Sequence, residues 1–253
     1  MSVTSGAARA VGLLMMASLS TAVADANAAA TILLWPIDPW LGSETKATEL
    51  WIQNQGNEPA TMQVRIVRWR QESGDERYQP QTDVVASPPI VTIQKGARQL
   101  IRLIKQTEVP PGKEQAYRII VDEIPPSSSS QGQMGIKLQM RYSIPLFVYG
   151  QGITTYPESA NHALVEPRDL SWQVVRENGK PALQIRNQGD VHVRLTAVSA
   201  RQGGQTRAIA DGLLGYVLPG ETRSWPLPAG LTAPVELKAT INARESKWQS
   251  PAR

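Results

Sequence analysis

Cysteine is absent from all 253 residues, so neither a disulfide framework nor thiol chemistry is open to this chain. Its stability has to come from apolar packing. Phenylalanine occurs once and histidine twice. His162 and His192 without thiols make a transition-metal centre a poor expectation. There is no phosphate-cradling glycine loop and no nucleophile elbow, and no spacing of Asp and Glu suggests an acid–base pair. The sequence therefore points away from an enzyme and calls for no cofactor. Past residue 29 no apolar run approaches about eighteen residues, so membrane insertion is not expected. Charge of one sign is scarce too. The 26 Lys and Arg stand against 22 Asp and Glu, a net +4, and the basic residues occur singly, which argues against a nucleic-acid partner.

What is present begins with a leader. Arg9, the apolar run Val11–Ala24 and a small-residue Ala-x-Ala site over 22–24 or 26–28 read as a cleaved secretory signal over residues 1–29. Losing it removes Arg9 and Asp25 and leaves the net charge at +4. Beyond it, 19 Pro and 19 Gly punctuate short alternating stretches. Leu33–Trp40 carries Pro36 and Pro39 and reads as a kinked edge strand that switches between sheets. Ala47–Gln53, Thr61–Trp69 and Gln115–Val121 read as strands, Pro88–Ile93 and Arg98–Ile104 as a strand pair, and 71–79 as a polar loop. About seven short strands without helical periodicity are the pattern of an immunoglobulin-like sandwich.

The second half repeats the plan. Leu183-Gln-Ile-Arg-Asn-Gln-Gly189 echoes Leu50-Trp-Ile-Gln-Asn-Gln-Gly56, and Leu218–Trp225 echoes Ile93–Leu100 around Gly220 and Gly96. The expectation is an all-β chain of two immunoglobulin-like β-sandwich domains, over 30–150 and 151–253, hinged at Tyr149–Pro157.

One stretch stands apart. Met134, Ile136, Leu138, Met140 and Tyr142 alternate with polar or small residues up to Ile144, so one face of an extended strand is apolar throughout. Before it, Ile124-Pro-Pro-Ser-Ser-Ser-Ser-Gln-Gly132 is too poor in apolar surface to pack. After it, Pro145 lacks the N–H a central strand needs, which suits an edge strand or a strand end. Such a strand either lines its own core or is available to pair with another chain.

These residues, taken in order, resemble a known family. Ala47–Gly56, Pro88-Pro89, Lys95–Leu103, Tyr117–Pro126 and Pro145-Leu-Phe147 together are similar to the periplasmic chaperones of chaperone–usher pili. Trp35-Pro36 and Tyr142-Ser-Ile-Pro-Leu-Phe147 look more like the archaic branch than the classical one. The resemblance covers the chain after the leader and implies a boomerang of two sandwiches in the periplasm. It implies pilus subunits and an outer-membrane usher as partners, and lending of the strand around 134–144 to a subunit that lacks one. Main-chain bonds would give affinity and alternate side chains would fill pockets. Met134, Ile136, Leu138, Met140 and Tyr142 would be the inserted row. Self-association is expected when no subunit covers the strand. The alternative is a secreted structural or adhesive sandwich protein, such as a pilus component.

The classical pattern fails at one point. Its subunit-carboxylate anchor, an Arg in the first strand and a Lys near the donor-strand end, meets Ile37-Asp-Pro-Trp40 and Pro145 here. The preceding strand should run antiparallel to the donor and bring Arg118 to the interdomain cleft, so Arg118, with Arg141 second, is the expected substitute. Glu123 is expected to bridge the domains.

Overall fold

The computed structural model describes residues 32–125, 139–154, 169–242 and 247–251. The expected leader, most of the serine-rich stretch, and Met134, Ile136 and Leu138 lie outside them. The chain is all-β, with the two-domain β-sandwich architecture expected from the sequence. In the first half, β1 (Ile32–Trp35), β3 (Ala47–Asn54), β8 (Arg98–Lys105) and β6 (Val84–Ser87) form one sheet in that order. The facing sheet runs β2 (Trp40–Leu41), β10 (Arg141–Tyr149), β9 (Glu114–Ile124), β4 (Ala60–Glu72) and β5 (Asp75–Gln79), with β7 (Ile90–Ile93) also on β4. Between them Leu50, Ile52, Met62, Ile101, Leu103, Ile119, Val121 and Leu146 are buried in one core.

In the second half, β11 (Leu170–Glu177), β12 (Lys180–Asn187) and β15 (Thr222–Pro226) form one sheet. β14 (Gln205–Val217), β13 (Val193–Gln202), β16 (Glu236–Ile241) and β17 (Lys247–Pro251) form the other.

The proline-bearing opening does switch sheets: β1 runs antiparallel to β3, and β2 runs parallel to β10 in the opposite sheet. Two expectations need correction. Residues 71–79 are no loop: β4 and β5 form a hairpin through Ser73 and Gly74, both at positive φ, the two-residue turn that matches strand twist. The Ser-Gly dipeptide carried that signal, and the polarity of its neighbours masked it. Nor do residues 88–93 pair with 98–104. β7 joins β4 while β8 joins β3, so the turn at Gln94–Ala97 carries the chain across the sandwich.

Asn54 holds that crossing. Its buried Nδ2 donates to the carbonyls of Glu58 and Ile93, its Oδ1 accepts from the Gly56 N–H, and its main chain bonds Gly96 and Ala97. Asn187 repeats the arrangement in the second sandwich. Its Nδ2 donates to Val191 O and Val217 O, its Oδ1 accepts from Gly189 N–H, and its main chain bonds Glu221. Gly96 and Gly220 take positive φ at matching places. The sequence echo is thus a repeated hydrogen-bonding device. Asn54→Ala strands the buried Ile93 carbonyl, leaves the part-buried Glu58 carbonyl and Gly56 amide without their partner, and should cost about 1–3 kcal/mol. Urea unfolding, with Asn57→Ala as an exposed control, measures it.

The sandwiches meet through the outer face of the second sheet. Trp69, Ala116, Phe147 and Tyr149 belong to the same buried cluster as Val193, Tyr216 and Val217 of the second half. Gln71 bonds across, donating to Tyr216 O at 3.0 Å and accepting from Leu218 N–H at 2.9 Å. Glu114 accepts from both the main-chain N–H and the ring Nδ1 of His192, with neither side chain exposed. The ring of His192 stacks on Phe147. At Gly150 the chain passes so close that a Cβ would run into the Pro110 carbonyl, so this position takes no larger residue without shifting the 110–113 turn.

Candidate functional site

β10 is the strand on which the site is built. It pairs along its whole length with β9, Arg141 opposite Asp122 through Tyr149 opposite Glu114. On its other side β2 covers Phe147 and Val148 alone. Residues 141–146 are therefore an open edge among the described residues. The Glu123 N–H donates to Met140 O, which fixes the parity of the antiparallel ladder. Tyr142, Ile144 and Leu146 turn their main-chain groups toward β9, and Arg141, Ser143 and Pro145 turn theirs away. This explains how Pro145 sits inside β10 and not at its end: the N–H it lacks would have pointed off the sheet.

Side chains alternate correspondingly. Ile144 and Leu146 are buried in the first core, Tyr142 packs at its margin, and Met140 is 38% exposed. The apolar row thus runs out of its own sandwich as it approaches residues 134–138. The Tyr142 hydroxyl accepts from the main chain of Ile32, where β1 begins.

The opposite face of the sheet builds a cleft. Pro145, Arg118 and Val67 lie side by side across β10, β9 and β4, one row beyond the row Phe147, Ala116, Trp69 that packs on the second sandwich. The cleft, about 560 Å³, is lined by Leu34, Ile37, Asp38, Arg118, Ser143 and Tyr216, among others. The Arg118 guanidinium lies 3.8 Å from the Trp69 ring centre and 5.5 Å from that of Tyr216. Its charge reaches the Tyr78 hydroxyl, while its buried Nε has no hydrogen-bond partner among the described residues. Aromatic rings on two sides hold a planar cation without neutralising it.

Arg141 also lines this cleft, but at its exposed edge. It is two-thirds exposed and ion-paired with Asp122, which also takes Arg65. Burial pushes the Asp122 carboxyl up, but the hydrogen bonds from Arg141 and Arg65 outweigh it and hold the group below its usual range. The pairing therefore contributes at neutral pH and is lost only as acid takes the solution below the ordinary carboxylate range. Glu123 does not bridge the sandwiches. It lies nine residues from Glu114 along β9, roughly 30 Å from the junction. Sequence reasoning reached Arg118 through strand order but missed Trp69, Tyr216 and Arg194 around it, since an alternating strand pattern does not say which outer faces meet.

The pili and flagellar-assembly chaperone family, in its PapD N-terminal domain, matches residues 40–154. No curated protein matches the chain by sequence. Among solved structures, the chain is 33% identical to a chaperone crystallised in the CsuC–CsuE chaperone–tip adhesion subunit pre-assembly complex from archaic chaperone–usher Csu pili of Acinetobacter baumannii. That match covers 88% of this chain and 98% of the other at a TM-score of 0.68. The E. coli chaperone DraB, 19% identical, covers 89% and 98% at 0.62. The Pseudomonas aeruginosa CupB2 chaperone, 15% identical, covers 87% and 99% at 0.58. The last two show likeness of fold.

Proposed function

The chain belongs to the chaperone–usher family of pilus-assembly chaperones, which are not enzymes, and from that premise we propose that it captures pilus subunits in the periplasm by lending them the strand around 134–144. The subunit is then handed to an outer-membrane usher. The observation that carries this reading is the open edge of β10. Its core-facing row passes from buried Ile144 through Tyr142 to exposed Met140, as a strand would that fills one sandwich at one end and a second protein at the other. In this reading Met134, Ile136, Leu138, Met140 and Tyr142 fill the subunit's groove, and the outward main chain of Arg141 and Ser143 supplies ladder bonds. Arg118 receives the subunit's terminal carboxylate, with Arg141 holding the neighbouring edge in place through Asp122.

Amide hydrogen exchange tests it directly. The N–H groups of Arg141 and Ser143 have no strand partner among the described residues and should exchange quickly in the free chain. In a complex co-purified with a subunit encoded beside this chain, both should slow by at least about tenfold, the mark of a new ladder. Unchanged exchange at both amides in a stable complex overturns strand lending.

A further inference from the structure

Arg194 enters the cleft from the other sandwich. It is carried by β13 and lines the same cavity as Arg118 and Tyr216, where its charge reaches the Tyr216 hydroxyl. Tyr216 thereby has one guanidinium in reach of its hydroxyl and, 5.5 Å from its ring centre, another over its face. Two like charges from different sandwiches converge on one side chain, and one of them keeps a buried, unbonded Nε. Like charges gathered in a half-enclosed space repel unless an anion sits between or beside them. The cleft's own anion is Asp38, on the irregular segment between β1 and β2, whose charge reaches Tyr216.

We propose that Arg194 is the second cation of the carboxylate site, so that the subunit's chain end is gripped jointly by Arg118 of the first sandwich and Arg194 of the second, and that Asp38 is the internal carboxylate that balances the pair while the cleft is empty. This rests on the subunit-capture reading above and names how that site tells a chain end from the middle of a chain. A carboxylate carries two acceptor oxygens and accepts from two guanidinium groups at once, while an internal peptide carbonyl offers one oxygen and no charge. Asp38 then competes with the incoming carboxylate. It makes the empty cleft stable and the filled one weaker than two arginines alone would make it, which suits a protein that must release its cargo.

The same arrangement ties occupancy to the junction. Tyr216 lies in the buried cluster that joins the sandwiches, and a chain end bonded to both arginines adds a link between the two halves.

The experiment uses the full chain co-expressed with a neighbouring subunit, in two forms: its native C-terminus, and the same subunit extended by two glycines, which moves the carboxylate away. Arg194→Ala should weaken capture of the native subunit by at least about tenfold and leave capture of the extended one within about twofold. Asp38→Asn should strengthen capture of the native subunit and slow its release, with no such gain for the extended form. Arg194→Lys, which keeps charge but not the fork, should recover only part of the loss.

Equal losses on both subunit forms would make Arg194 a structural partner of Tyr216 and overturn the assignment. So would Arg194→Ala capturing the native subunit as well as the unmodified chain does. If the unmodified chain captures neither form, the capture reading itself falls and this one with it. Thermal melting of each variant separates lost capture from lost folding.

Discussion

Arg118→Ala should weaken capture of a native-ended subunit by at least about thirtyfold while leaving the chaperone folded. The guanidinium is the one group of the cleft that the sheet itself places beside the end of the open edge, opposite Pro145. It lines the cleft with Trp69 and Tyr216 rings against it, so an incoming carboxylate meets a cation held in place by stacking. Removing one member of a buried charged pair costs about 2–5 kcal/mol, because the other is left desolvated and unpaired. Even the lower bound corresponds to roughly thirtyfold in affinity.

Stability should fall far less. What is lost within the chaperone is chiefly the stacking on Trp69, worth about 1–2 kcal/mol at a largely dry site. Arg118→Lys keeps the charge but neither stacks as a plane nor offers a fork, and should recover only a minor part of the capture. Arg141→Ala should stay within about twofold of the unmodified chain, since Arg141 already spends its charge on Asp122 at the exposed edge. Isothermal titration or surface plasmon resonance with a purified subunit separates these outcomes. Arg118→Ala binding as tightly as the unmodified chain would remove it from the anchor.

Glu114→Ala should lower stability by about 3–5 kcal/mol and loosen the joint between the sandwiches. The carboxylate satisfies two donors of His192 in a place with no exposed surface at either side chain. With it gone, a main-chain N–H and a ring nitrogen are buried without acceptors, the costly way to break a buried pair. At about 2–4 °C per kcal/mol for a chain of this size, the midpoint should drop by roughly 10 °C. Small-angle scattering should show a wider spread of inter-sandwich arrangements. Glu114→Gln, which keeps an acceptor for the His192 N–H, should fall between the two.

Lys113 supplies the contrast one residue away. Its ion pair with Asp190 also spans the junction, but both side chains are mostly exposed, and Lys113→Ala should cost under about 1 kcal/mol. If the two variants were equally mild, the buried pair would not be what fixes the joint.

Much of this protein is legible in the residues alone, because its signals are local. Alternation over Thr61–Trp69 and Gln115–Val121 requires strands with one buried face, and β4 and β9 carry them. Pro36 and Pro39 forbid one continuous strand, and the chain changes sheet between β1 and β2. The two Asn-Gln-Gly segments announce one device used twice, although only the fold shows that Asn54 and Asn187 each hold a strand crossing. The open edge at Arg141–Leu146 accords with an apolar alternating row followed directly by a proline, which has no N–H for a neighbouring strand.

Where reading failed, the deciding contacts were remote. Local polarity at 71–79 concealed a hairpin, since a strand exposed on both faces has no apolar alternation to show. The turn at Gln94–Ala97 looked like a hairpin because sequence adjacency favours pairing neighbours, yet both flanking strands found better partners across the sandwich.

The sequence by itself determined the strands, their apolar faces, the repeated sandwich plan and the direction in which β9 brings Arg118 to β10. Each of these depends on residues within one strand or between strands that follow one another. Only the tertiary structure decided what surrounds Arg118. Trp69, Asp38, Arg194 and Tyr216 come from four separate segments, 49 to 98 residues from Arg118 in the sequence, and they meet because the outer face of one sheet packs on the second sandwich. Period-two alternation says that a strand has an outer face; the shape of the neighbouring sandwich says what that face touches.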